Sequence, residues 1–300
     1  MKEKSFGPVR FIPGKNNGKP PHCNSLYIEG AGILIDPASD RERLIRLKQE
    51  SGVNMVWLSH WHEDHQMDLD LFEDVPFWIS KQDAEPLTDL DLFLDWYEME
   101  GKYREDFRKI MIEQYHYKPR KPQGFFEDGE TIELGFVTVD VIPTPGHTPG
   151  HLSFFFREPK VLFLGDYDLT KFGPWYGDKY SNIDDVINSV KKLKKMPAKV
   201  WVTSHQAGLL EEAPGELWDH YIGVIQKREE KLLSILDTPK TITQIIDAGI
   251  VYRRPGTTEA SFLFNEKAIM KKHIERCLKI SSIQKIGDGY VKADTRQLQI

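Results

Sequence analysis

The sequence predicts an α/β protein: helix-covered sheets over roughly the first 205 residues, then a helical region closed by a small hairpin. Three observations carry this. Short segments rich in Val, Ile, Phe and Trp recur as far as His205 and end at Gly, Pro, Asp or His, as strands do. Segments of helical spacing lie between them, and strands so interleaved form sheets with helices on their faces. After His205 the apolar segments lengthen and take on helical spacing.

Taken in order, the strand candidates are "SLYI", "GILIDP", "NMVWLSH", "PFWIS", "TIELGFVTVDVI", "HLSFFF", "KVLFLGD" and "KVWVTSH". "DRERLIRLKQESG" reads as a helix with Leu44, Ile45 and Leu47 on one side and Gly52 as its stop. Residues 82–118 interrupt the strand rhythm as a helical insertion, two helices with a break near Gly101. This stretch is dense in aromatics: Phe93, Trp96, Tyr97, Tyr103, Phe107, Tyr115 and Tyr117. Beyond His205, "PGELWDHYIGVIQKREEKLLSIL", "KTITQIIDAGI" and "EKAIMKKHIERCLKI" read as helices, and "IQKIGDGYVKA" as a hairpin turning at Asp288-Gly289. Helices followed by a hairpin resemble a winged helix-turn-helix. The expected division is residues 1–210 and residues 211–300. No repeat or low-complexity segment is evident.

Composition narrows the function classes. The chain has 300 residues, 40% hydrophobic and 29% charged, which suits a globular protein with a sizeable core. No apolar run approaches a membrane span, so no membrane association is expected. "MKEKSFGPVRFIPG" lacks the apolar core of a signal peptide. Cys23 and Cys277 form neither a disulfide nor a metal pattern, and a cytoplasmic location is expected. A net charge of −6 argues against a strongly electrostatic nucleic-acid binder.

The chemistry is concentrated in "SHWHEDH", residues 59–65. His60, His62, Asp64 and His65 follow the apolar strand "NMVWL", and a strand end with a tight loop can aim several side chains at one point. Imidazole and carboxylate suit zinc, manganese or iron. Three further segments end in the same way. "TPGHTPGH" carries His147, "VLFLGD" ends in Asp166, and "VWVTSH" ends in His205. A lone histidine at a strand end is usually structural, but four such endings together point to one metal-binding rim.

These motifs, in this order, resemble the metallo-β-lactamase-fold hydrolases, over about residues 20–210, with "GILIDP" and "EDGETIELG" also fitting. The likeness runs to the glyoxalase II-like and β-lactamase-like endoribonuclease branches. It implies an αββα sandwich with the metal site at one edge. It also implies that His60, His62 and His147 hold one ion, that Asp64, His65 and His205 hold a second, and that Asp166 bridges. His151 is then no ligand, but either supports the ligands from behind or is structural. Where flavodiiron relatives carry Glu, this chain has His62; where many β-lactamases carry Cys, it has Asp166. A Gly-rich turn follows the Asp-His pair in many relatives, and "QMDLDLF" stands there instead.

Two divalent ions, zinc ahead of iron or manganese, would supply a hydroxide nucleophile, with Asp64 orienting the attacking water. No G-x-S-x-G signature offers a protein nucleophile. The implied activity is hydrolysis of a small thioester or acyl ester. A metal-dependent endoribonuclease and a mononuclear Fe(II) persulfide dioxygenase are the alternatives. Trp96 and Tyr97 of the insertion, and Lys171, Trp175 and Tyr176 of "DLTKFGPWYGDKY", are candidate substrate contacts. The insertion's aromatics would either wall the site, or else pack its two helices together or form a homodimer contact. Residues 266–296 hold eight Lys/Arg against four Asp/Glu. That excess either contacts nucleic acid or is a solvated helix face.

Overall fold

The computed structural model describes residues 1–206, 208–252 and 259–293. Two sheets lie face to face. The first runs Lys4–Phe6, Val9–Ile12, Ser25–Ile28, Ile33–Ile35, Met55–Trp57, Phe77–Ser80 and Gly124–Phe126, each strand beside the next. It is antiparallel as far as Ile33–Ile35 and parallel beyond. The second has the order Leu209–Leu210, Val200–Val202, Val161–Phe163, Leu152–Phe156, Thr138–Pro143 and Thr131–Glu133.

The uninterrupted apolar runs follow from this layering, because successive side chains leave opposite faces of a strand and both faces are covered. In "ILI", Ile33 and Ile35 point between the sheets while Leu34 meets the outer helices. In "VLFL", Val161 and Phe163 point inward, and Leu162 and Leu164 outward. The inner layer joins both sheets through residues such as Phe11, Trp57, Phe126, Phe154 and Phe163. Helices Arg41–Glu50, Leu90–Trp96 and Gly101–Glu113 cover the first sheet, and Ile183–Leu193 and Leu217–Ile235 cover the second. The αββα sandwich is therefore present.

Several elements depart from the sequence reading. Lys4–Phe6 and Val9–Ile12 form an edge hairpin absent from that reading. "TIELGFVTVDVI" is two strands that turn at Gly135, not one. Helix Ile183–Leu193 is a further addition, although Asn182 caps it and Ile183, Val186, Val190 and Leu193 are buried on one stripe. Ile45 is exposed while Leu44 and Leu47 are buried, because the helix turns it a full 100° from Leu44.

Beyond residue 210 the expected helices and hairpin are found. The final helix begins earlier than expected, at Glu259, and Lys240–Thr241 adds a strand to the hairpin. Two residues of the charge count, Asp294 and Arg296, lie outside the described residues. Trp218, Tyr221 and Ile225 of Leu217–Ile235, with Ile269, Met270 and Ile274 of Glu259–Lys279, pack into the cluster that backs the second sheet. Among the described residues no helix is long and apolar enough to cross a membrane.

Candidate metal centre

Three glycine or aspartate positions set the site's backbone. Asp36 adopts a positive φ of 51°, costly for a residue with a Cβ, directly after strand Ile33–Ile35. Its carboxylate is held there by the Ser59 amide (2.8 Å), the Ser59 hydroxyl (2.7 Å) and His65 Nδ1 (2.9 Å). Gly146 has φ 125°, and a Cβ on it would lie 2.3 Å from the Val186 amide nitrogen. Gly165 has φ 60°, and a Cβ there would meet His151 Nε2 at 2.3 Å. The glycines of "TPGH" and "LGD" are thus sterically required.

All seven sequence-derived ligands come together. His60 Nε2, His62 Nδ1 and His147 Nε2 form a triangle with sides of 3.0, 3.0 and 3.2 Å. Asp166 Oδ2 lies 3.3 Å from His147 Nε2 and 3.9 Å from His60 Nε2. Its other oxygen, Oδ1, faces His65 Nε2 at 2.9 Å and His205 Nε2 at 3.4 Å. Asp64 completes this second group, with Oδ2 3.4 Å from His205 Nε2. Asp166 therefore stands between three histidines on one side and Asp64, His65 and His205 on the other.

A divalent cation fits these residues. Each ring nitrogen offers one in-plane hydrogen or one lone pair, so a closed triangle of nitrogens cannot be satisfied by hydrogen bonds. Ligands about 2.0–2.1 Å from a tetrahedral zinc are about 3.3 Å apart, close to the observed spacing. His65 Nε2 and Asp166 Oδ1 are buried and make no hydrogen bond. The opposite nitrogen of every histidine is anchored: His60 Nδ1 at Ser59 Oγ (3.0 Å), His62 Nε2 at Asp178 (2.7 Å), His147 Nδ1 at the Trp175 carbonyl (3.1 Å). His65 Nδ1 meets Asp36, and His205 Nδ1 the Gly18 carbonyl at 2.6 Å. Such outer partners orient metal-binding imidazoles. His151 is no ligand. Its Nδ1 meets Thr144 Oγ1 at 2.8 Å and its Nε2 accepts the Asp166 amide at 3.1 Å, while burial and then His147 keep it neutral.

Charge is unevenly distributed. Burial opposes the charge on Asp166, but His65, His205 and His147 outweigh it and hold its carboxyl well below the usual range. Burial, then Asp64, pushes Glu63 up to about 8, and Glu63 accepts the Tyr97 hydroxyl at 2.6 Å. Burial likewise raises Asp168 to about 7, although its Oδ1 accepts the His205 amide at 2.8 Å.

A cleft of about 340 Å³ opens over the ligands. Tyr97, Tyr103, Phe107 and Tyr115 of the insertion line it, together with Phe172, Trp175, Tyr252 and Phe264. The insertion's aromatics both wall the cleft and pack against each other, since Phe93, Trp96 and Tyr117 lie in the core beneath. Of the five candidate substrate contacts, Tyr97 and Trp175 border the cleft. The other three do not. Trp96, next to Tyr97 on its helix, faces away onto Trp61 and Tyr180, with Nε1 3.2 Å from Glu85. Tyr176 is buried, its hydroxyl bound to Arg228 (2.8 Å) and His273 (2.9 Å). Lys171 is exposed to solvent. Asp36, Asp178, Glu63 and Asp168 are site residues that the sequence reading does not include. Asp36 ends an apolar strand as Asp166 does, which is the available signal; Asp178 has none.

The sequence profile of the Metallo-beta-lactamase superfamily matches residues 18–205, more than half of the chain, and the protein belongs to that superfamily of metallo-hydrolases, which bind divalent metals. A "Beta-lactamase-like protein 2 homolog" of Caenorhabditis elegans is 26% identical over 90% of this chain and 85% of its own. "Hydroxyacylglutathione hydrolase GloC" of Haemophilus influenzae is 31% identical over 48% of this chain and 65% of its own. "Acyl-coenzyme A thioesterase MBLAC2" of Gallus gallus is 26% identical over 57% and 58%. A metallo-β-lactamase family protein from Thermus thermophilus superposes with a TM-score of 0.68 at 22% identity, over 95% of this chain and 98% of its own, and shares the fold.

Proposed function

We propose that the protein hydrolyses a small thioester or related acyl ester with two divalent ions, zinc ahead of iron or manganese. One observation carries this. The ligands converge in two groups on Asp166 beneath an aromatic cleft whose described lining contains no Ser, Cys, Lys or Arg. Water is therefore taken as the nucleophile in preference to Thr170, the one alkyl hydroxyl in the described lining. The second group, Asp64, His65 and His205, favours two ions over the single iron of a dioxygenase. Relatives named for acyl-glutathione and acyl-coenzyme A hydrolysis support the substrate class.

When bound, the ions lower the pKa of a water and polarise the acyl carbonyl. The chain does the rest. Asp64 borders the cleft and orients the attacking water. The water oxygen bonds to the carbonyl carbon, the carbon–sulfur bond breaks, and the thiol leaves with the water's proton. The aromatic walls exclude bulk water and grip the acyl group. From Lys240 to Lys292 the element order resembles a winged helix, which we take as a packing module rather than a nucleic-acid reader.

The test is metal analysis of the purified protein beside an activity screen of acyl-glutathione, acyl-coenzyme A, lactone and RNA. The expected result is close to two ions per chain, thioester cleavage, and loss of both on His62→Ala. One ion, with His65 and His205 turned away from it, would overturn the dinuclear reading. RNA cleavage lost in the same variant, without thioester cleavage, would overturn the substrate reading.

A further inference from the structure

We propose that a second cavity beside the metal cleft holds the hydrocarbon chain of an acyl substrate, which makes the enzyme selective for longer acyl groups. This rests on the acyl-hydrolase reading. The cavity, about 430 Å³, lies between the inserted helices and helix Glu259–Lys279. It shares Tyr97, Tyr103 and Phe264 with the metal cleft. The Tyr103 and Phe264 rings are 4.9 Å apart, and Tyr97 and Phe264 6.5 Å, so these three side chains form the partition. Tyr103 and Phe264 are only partly buried. In this proposal a rotation of Phe264, which is only partly buried, opens the partition and joins the two spaces.

Beyond the partition the lining is apolar, with Ile246 and Ala268 inside and Leu263, 41% exposed, at the rim. The rim charges cancel. Lys271 Nζ is 2.5 Å from Glu98, and Lys267 Nζ lies 3.9 Å from Glu100. Paired charges around an apolar lining suit a neutral alkyl chain, not a phosphate. Continuity with the cleft sets its direction: the carbonyl sits at Asp166, and the chain runs past Phe264 into the groove. No metal ligand touches the groove, so blocking it leaves the reaction itself untouched.

The experiment uses the metal-loaded full chain and a series of saturated thioesters of one thiol, from acetyl to decanoyl. Each added methylene is expected to lower KM by up to roughly fourfold until the groove is full. Ala268→Phe narrows the groove, and Leu263→Trp does so from the exposed rim, where misfolding is not at issue. Both should raise KM for decanoyl thioester by about tenfold or more and leave acetyl thioester hydrolysis unchanged. Calorimetric binding of 1-decanol supplies a readout independent of hydrolysis, and it should weaken in both variants. A KM indifferent to chain length, with no decanol binding, overturns the groove while short thioester hydrolysis keeps the function. Decanol binding that the variants abolish, with no thioester cleaved at any length, keeps the groove and overturns the function. Single-stranded oligonucleotide binding lost in both variants, without decanol binding, overturns the proposal in favour of base stacking.

Discussion

The residues that decide this site are the ones one step behind the ligands. Asp178 accepts from His62 Nε2 at 2.7 Å, is buried, and so fixes the nitrogen that His62 presents to the cation. Removing such a partner typically costs 10–100-fold in metal affinity or activity. Asp178→Ala should therefore weaken metal binding by about that factor, as read by competition with a chelator; unchanged affinity would make Asp178 merely structural. Asp83 is a different case. It accepts the Gly150 amide at 2.6 Å and the Thr148 hydroxyl, so it pins the turn that bears His147. Burial pushes its carboxyl up to about 7, against the opposing pull of those donors. A folded-state pKa above the unfolded value means a contribution that is complete below about 4 and lost as pH rises through about 7. Asparagine keeps the acceptor for Gly150 and donates to Thr148 instead. The melting temperature of Asp83→Asn should therefore gain on that of the wild type between pH 4 and 8, by the equivalent of a few kcal/mol at most. A pH-independent difference would show that Asp83 is not protonated in the folded protein.

At the scale of elements, the second half of the chain holds the first half's ligands in place. Helix Leu217–Ile235 carries Arg228, which is 4% exposed and donates to the Phe172 carbonyl (2.8 Å), the Pro174 carbonyl (3.0 Å) and the Tyr176 hydroxyl (2.8 Å). The loop so stapled contributes the Trp175 carbonyl to His147 and Asp178 to His62. Arg228→Met preserves bulk but orphans the Phe172 and Pro174 carbonyls, each worth about 1–3 kcal/mol when buried and unpaired, less what water recovers, while the Tyr176 hydroxyl keeps His273. The expected outcome is a lower melting temperature together with faster loss of metal to a chelator. A stability loss with unaltered metal retention would confine Arg228 to packing. This coupling is also why the sequence discloses the site unevenly. The ligands sit in short contiguous motifs at strand ends, where residue type and spacing are enough. Asp178 and Arg228 act only after the loop and helix have docked, and nothing in "YGDKY" or "QKREE" carries that information. The edge hairpin is hidden for a local reason: "KSF" and "VRFI" are short strands of mixed polarity at a sheet edge. Helix Ile183–Leu193 is readable from its cap and stripe.

At the scale of the whole molecule, the question is whether its surface recruits a polyanion. The net charge of −6 opposes it. The cations of helix Glu259–Lys279 are largely engaged within the protein. Lys271 is paired with Glu98, Lys272 is 6% exposed and donates to the Lys179 carbonyl, and Arg276 is paired with Asp184 and Glu229. Lys279 stays exposed at 71%, 3.6 Å from Asp184, and Lys267 at 53%. A helix whose buried stripe includes Phe262, Ile269, Met270 and Ile274 has its apolar side committed to the core. What it offers outward is two loosely held lysines, too few for a groove-reading surface. A nuclease reaching a single strand through n phosphates would lose affinity with log salt at a slope near −0.7n, approximately. For hydrolysis of a small thioester, kcat/KM should change little over the same range of salt, and Lys267→Glu with Lys279→Glu should leave it within about twofold, because exposed charges are screened within about 10 Å at moderate ionic strength. A steep salt slope that flattens in the double variant would show that these lysines steer an anionic substrate to the cleft, and the acyl-hydrolase reading would then give way to the nuclease.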